Sequence, residues 1–181
     1  LERRVVRLRL DVATLALGRE RIELRQFLAA PGRPFPIETK PNDAAFQHVA
    51  IVVRDMAAAY AHLERHRVVH ASNEPQTLPA WNSNAAGISA FYFRDPDLIA
   101  ELIHFPKDKG DPRWQTPSDA LFLGIDHTAI VVDDTDVALA FWRDALGIEL
   151  HELRDVPAEK SQVAFLPVAG AEVELVMPTS E

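Results

Sequence analysis

Hydrophobic positions along this chain fall into short runs of strand period, separated by turn residues and by two stretches of helical spacing. "HVAIVV" at 48–53 and "HTAIVV" at 127–132 are almost wholly apolar, and each is opened by a histidine. An acidic N-cap candidate follows each string, Asp55 in the first and Asp136 in the second. Met56, Tyr60 and Leu63 then share one helical face, as do Ala138, Phe141, Trp142 and Leu146, with Gly147 placed to end the second helix. Beyond the first helix come "ISAFYFR", a turn at 95–97 and "IAELIHF"; beyond the second come "QVAFLPV", Ala169-Gly170 and "AEVELVM". Each unit reads strand, helix and three strands, the second strand being weakly marked.

This repeat divides the chain. Residues 1–28, which contain "ERIELRQF" with Glu23, read as the closing strands of a truncated first module. A complete second module spans 44–106 and a third spans 124–181, with proline-rich joints at 29–43 and 107–123. The fold class expected is α+β, built from repeated βαβββ modules. A truncated first module and a third module without a following partner leave sheet edges and apolar surface open. A homo-oligomer formed through module pairing is therefore expected.

Composition narrows the function. The formal net charge of −8, without any basic run, repels a phosphate backbone, so nucleic acid is excluded as a partner. With no cysteine, a metal would have to be held by nitrogen and oxygen. The apolar runs fall short of the roughly 20 residues of a membrane helix, and the N-terminus lacks a signal pattern. A cytoplasmic protein with a small-molecule substrate and no membrane partner is expected.

Candidate chemistry sits at fixed places in the repeat. Alternation puts His48, Ala50 and Val52 on one face of the first strand, and His127, Ala129 and Val131 on one face of its counterpart. Both units close on a strand carrying a glutamate, Glu101 or Glu174. Glu101 shares its face with Ile99, Ile103 and Phe105, where a carboxylate without a compensating group would be costly. A divalent cation held by imidazole and carboxylate would compensate it, and such ligands suit Zn, Ni, Co, Mn or Fe(II). Taken singly, a histidine in an apolar strand is more often bonded to backbone, and Glu23 and Glu174 have charged neighbours in the manner of a solvated face. Recurrence of the His-to-Glu pairing favours the metal. His62, His66 and His70 read as a solvated helix face and its exit, His104 as packing or surface, and His151 as a residue that could line the third module's cleft.

The H-x-A-I-V-V strands, the A-x-x-F-W-x-x-x-L-G helix and the closing E-L strands resemble the vicinal oxygen chelate superfamily, which includes glyoxalase I, bleomycin-resistance proteins, extradiol dioxygenases and methylmalonyl-CoA epimerase. Residues 124–181 are similar to the first half of methylmalonyl-CoA epimerases. The resemblance implies paired βαβββ modules whose curled mixed sheets form a cleft, with first- and last-strand side chains chelating one divalent ion. Carried onto this chain, the ligand positions are His48 and Glu101 in the second module, Glu23 in the first, and His127 and Glu174 in the third, whose partner module would follow Glu181. Two incomplete sites are the expectation. The implied activity is that of a metal-dependent lyase or isomerase of the glyoxalase I or epimerase type, stabilising an enediolate or enolate, with Glu174 moving the proton. The alternatives are an Fe(II) extradiol ring-cleavage dioxygenase and a non-catalytic drug-binding module. Two departures stand out: "DPDLIAEL" is a residue short and lacks a glycine before Glu101, and Arg67 stands where a helix-ending glycine is usual.

Overall fold

A computed structural model describes residues 10–28, 32–33, 39–40, 43–44, 47–94 and 98–179. The expected turn at 95–97 and most of the 29–43 joint lie outside the described residues. The first two strands, β1 (Leu10–Leu17) and β2 (Glu20–Phe27), form a separate antiparallel hairpin. Gly18 turns it with φ +60, and a Cβ there would stand 2.6 Å from the Leu123 carbonyl oxygen. The hairpin turn thus rests on the strand that opens the last module.

The second βαβββ unit comprises β3 (Gln47–Val53), α1 (Met56–Arg65), β4 (Val69–His70), β5 (Gln76–Thr77), β6 (Ser89–Arg94) and β7 (Ile99–His104). Its repeat comprises β8 (Phe122–Val131), α2 (Thr135–Leu139), β9 (Glu152–Val156), β10 (Ser161–Val168) and β11 (Ala171–Pro178). The weakly marked second strand is split in the first copy into two-residue pieces, β4 and β5.

All strands from β3 onward join one mixed sheet in the order β4-β6-β7-β3-β8-β11-β10-β9, with β5 beside β6. Within each copy the opening and closing strands are parallel; across the junction β3 and β8 are antiparallel. The two modules therefore pair with each other inside one chain. Partners that the sequence suggested would come from another copy, or from beyond Glu181, are supplied here by the neighbouring module.

Each half has one face covered by its own helix. Met56, Ala59 and Leu63 of α1 pack with Val53, Phe91 and Leu102. On the other half Leu139 packs with Ala164, Leu166 and Leu175. Asp55 caps α1 by accepting a hydrogen bond from the Ala58 N–H at 2.9 Å, as expected. The second cap is Asp134, not Asp136, which lies in the first turn. The expected apolar face of that helix also needs correction, because Phe141 and Leu146 are exposed and Leu139 is the buried anchor. A π-helical stretch over Ala140–Ala145 follows α2, and the Leu146 N–H bonds to the Phe141 carbonyl five residues back. Its wider turn rotates the later side chains off the face set by α2. Among the described residues no helix is long and apolar enough to cross a membrane.

Candidate metal centre

The uncovered faces of the two halves enclose a cleft of about 1330 Å³. His48 enters it from β3 and Glu101 from β7, which run parallel with Ala50 opposite Glu101. The other half repeats this arrangement, with His127 on β8 and Ala129 opposite Glu174 on β11. Alanine in both places leaves room beside each carboxylate. Glu101 thus keeps the register of its counterpart Glu174, although the sequence before β7 is a residue short.

Three side chains converge. The Nε2 atoms of His48 and His127 lie 3.3 Å apart, and Glu101 Oε2 is 3.2 Å from the first and 3.3 Å from the second. All three residues are buried. Ligands held about 2.1 Å from one ion in a tetrahedral array stand about 3.4 Å apart, so this triangle has the size of one face of such an array. The donors are imidazole nitrogen and carboxylate oxygen, and their spacing and chemistry fit a divalent cation. Glu174 stands beside the triangle, its Oε1 3.6 Å from His127 Nδ1. The same nitrogen is 3.1 Å from Asp126 Oδ2.

Burial and charge compete at every group here. Burial pushes the Glu101 carboxyl up, but hydrogen bonding and positive charge from His127 and His48 outweigh it and hold it at about 2. At His127 burial favours the neutral ring, yet Glu174, Asp126 and Glu101 together carry the imidazole well above its usual range. Burial, opposed by His127 and reinforced by Glu101, pushes the Glu174 carboxyl up to about 7. Tyr92, edge-on to His48 with ring centroids 5.4 Å apart, has its phenol raised by burial and by the Glu101 charge.

Four of the five residues expected from the sequence thus line one cleft, where the two incomplete candidate sets face each other. Glu23 does not join them. Its strand is bonded only to β1 among the described strands, and its side chain is half exposed and ion-paired with Arg25. His151 lines the cleft as expected. Sequence reasoning missed Asp126, whose carboxylate lies beside His127, because alternation sends it away from His127's face. Glu159, which also lines the cleft, was missed as well; burial and the Glu101 charge raise its carboxyl.

Residues 124–181 match the sequence profile of the Glyoxalase/Bleomycin resistance protein/Dioxygenase superfamily. Mitochondrial methylmalonyl-CoA epimerase of Mus musculus is 28% identical over 95 residues, which is 52% of each chain. In fold the chain is similar to glyoxalase I from Zea mays, with a TM-score of 0.68 at 21% identity over 94% of this chain and 54% of that one. It is also similar to methylmalonyl-CoA epimerase from Mycobacterium tuberculosis, with a TM-score of 0.53 at 20% identity, covering 74% of this chain and 87% of that one. The chain spans about half the length of the curated mouse relative and of the maize enzyme. The profile match thus covers the last module, residues 124–181, and the paired-module fold running from β3 to β11 is similar to that of glyoxalase I and methylmalonyl-CoA epimerase.

Proposed function

We propose that this chain is a divalent-metal-dependent lyase or isomerase that moves a proton at the carbon next to a substrate carbonyl. The observation that carries this reading is the buried His48, Glu101 and His127 triangle, contributed by both modules and placed beside Glu174. A divalent ion held by those three side chains, with Glu174 as a further donor or base beside it, would supply Lewis acidity toward two adjacent substrate oxygens and lower the cost of enediolate or enolate charge. Glu174 is suited to take the proton, because it stands beside the triangle and its burial makes the carboxylate more basic than an exposed one. Apolar side chains such as Ile88, Ile103, Val163 and Phe165 line the cleft and keep water from the reacting carbon. The epimerase relatives point to methylmalonyl-CoA as the first substrate to try.

The test is exchange of that carbon-bound hydrogen in deuterated water, measured after loading the protein with Co(II), Ni(II), Zn(II) or Mn(II). His48→Ala, Glu101→Gln and His127→Ala should lose both metal and exchange, while Glu174→Gln should keep much of the metal and lose exchange by at least about 100-fold. Full exchange in the last variant would remove Glu174 from its role. The two-histidine, one-carboxylate composition of the triangle also favours a second reading, Fe(II)-dependent ring cleavage of a catechol. Oxygen uptake with catechols by the Fe(II)-loaded protein, without proton exchange in any metal form, would select it.

A further inference from the structure

The segment between the two modules is built around one tryptophan. Asp111 caps a 3-10 turn, Pro112–Gln115, by accepting a hydrogen bond from the Arg113 N–H at 2.8 Å. The Arg113 guanidinium lies 3.8 Å from the centre of the Trp114 ring, and donates to the Ile125 carbonyl at 3.2 Å and to Glu20 at 3.3 Å. A Cβ on Gly124 would stand 3.0 Å from that ring, so β8 carries no side chain where the indole rests. So held, Trp114 Nε1 donates to Asp126 Oδ1 at 2.8 Å. The other oxygen, Asp126 Oδ2, is 3.1 Å from His127 Nδ1.

Neighbours in a strand ordinarily face opposite ways, and here a β-bulge overrides that rule. Val49 pairs with Thr128 but Ile51 pairs with Ile125, leaving Asp126 and His127 together opposite Ala50 alone. Both residues line the cleft.

We infer that Trp114 and Asp126 are positioning residues for the metal centre. The inference rests on the metal reading of the His48, Glu101 and His127 triangle. An indole N–H can only donate, so Asp126 Oδ1 is committed as an acceptor and its second oxygen is left to accept the Nδ1–H of His127. That places the His127 lone pair on Nε2, the atom that faces Glu101 and His48. A carboxylate behind a ligating histidine fixes the ring and raises its basicity. Glu174, at 3.6 Å from the same Nδ1, is the looser partner and is left for other work.

The experiment measures Co(II) binding by calorimetry, and in parallel the His127 Nδ1–H signal by nitrogen-edited proton NMR with and without Co(II)-site loading by diamagnetic Zn(II). It uses the whole chain and the variants Asp126→Ala, Asp126→Asn, Trp114→Phe and the Trp114→Phe/Asp126→Ala double. Asp126→Ala should weaken Co(II) binding about 10–100-fold, Trp114→Phe less, and the double variant no more than Asp126→Ala alone, because the tryptophan acts through the aspartate. The Nδ1–H signal should be slow to exchange in the parent, faster in Trp114→Phe and absent in Asp126→Ala. Parent-like Co(II) affinity in all Asp126 variants, with Glu101→Gln still defective, would overturn the inference, as would additive losses in the double. If the parent itself bound no divalent ion, the metal reading would fall; the NMR signal would still decide the relay, and its persistence in Asp126→Ala would refute it. Should Asp126→Ala fail to fold, Asp126→Asn and Trp114→Phe carry the same comparison.

Discussion

At the scale of single residues the centre is governed by protons. Glu101 is held at about 2, below its ordinary 4.5, so its ionised form stabilises the fold; that contribution is complete above 4.5 and is lost as pH falls toward 2. Glu174 works in the opposite sense. Raised to about 7, it resists ionisation in the fold, so stability falls as pH rises from 4.5 to about 7 and then levels. His127, raised well above 6.5, contributes stability that is complete below 6.5 and is lost as pH climbs through its folded value. The thermal midpoint of the metal-free protein should therefore decline between about pH 5 and 8, and Glu174→Gln should remove the part below 7. A melting series flat across that window would contradict the arrangement. Co(II) affinity should rise over the same range, since the ion displaces protons from these groups.

At the scale of elements the two copies of the module solve one problem differently. Behind α1 the Arg67 N–H bonds to the Glu64 carbonyl at 3.0 Å and the Val68 N–H to the Leu63 carbonyl at 3.1 Å, the paired closure of a helix whose next residue is left-handed. Arg67 adopts that conformation with φ 56, as Gly147 does after the second helix with φ 72. Arg67 stands where the resembled family usually has glycine, and the structure keeps the left-handed geometry rather than abandoning it. Arg67→Gly should stabilise the protein by about 1 kcal/mol in urea unfolding, because the Cβ clash is relieved and an exposed side chain is lost. An unchanged or lower midpoint would show that the Arg67 side chain contributes more than its backbone costs.

At the scale of the whole molecule the junction of β3 and β8 unites the modules. One sheet crosses it, and the candidate metal donors come from both sides, His48 and Glu101 from one and His127 from the other. Residues 47–179 should consequently unfold as one cooperative unit. Saturating Co(II) at about 100 times its Kd should add about 2.7 kcal/mol to that single transition. Calorimetry resolving two transitions, only one of which moves with Co(II), would refute the shared centre.

Much of this was already determined by the order of residues. Period-two alternation and turn chemistry assign faces locally, so the repeated module, the histidines that open β3 and β8, and the glutamates in β7 and β11 could all be read from the chain. Which strand edges meet is not a local property. Nothing in the spacing said that β3 would bond to β8 and bring two partial sets of candidate ligands together, or that the hairpin carrying Glu23 would stay off that sheet. The bulge that turns Asp126 to the side of His127 exists only because β8 is one residue longer than its partner across that stretch. Trp114 is placed by contacts with Arg113, Gly124 and Asp126 that no periodicity records. Local sequence sets where a side chain points relative to its own strand; pairing between distant strands decides what it then faces.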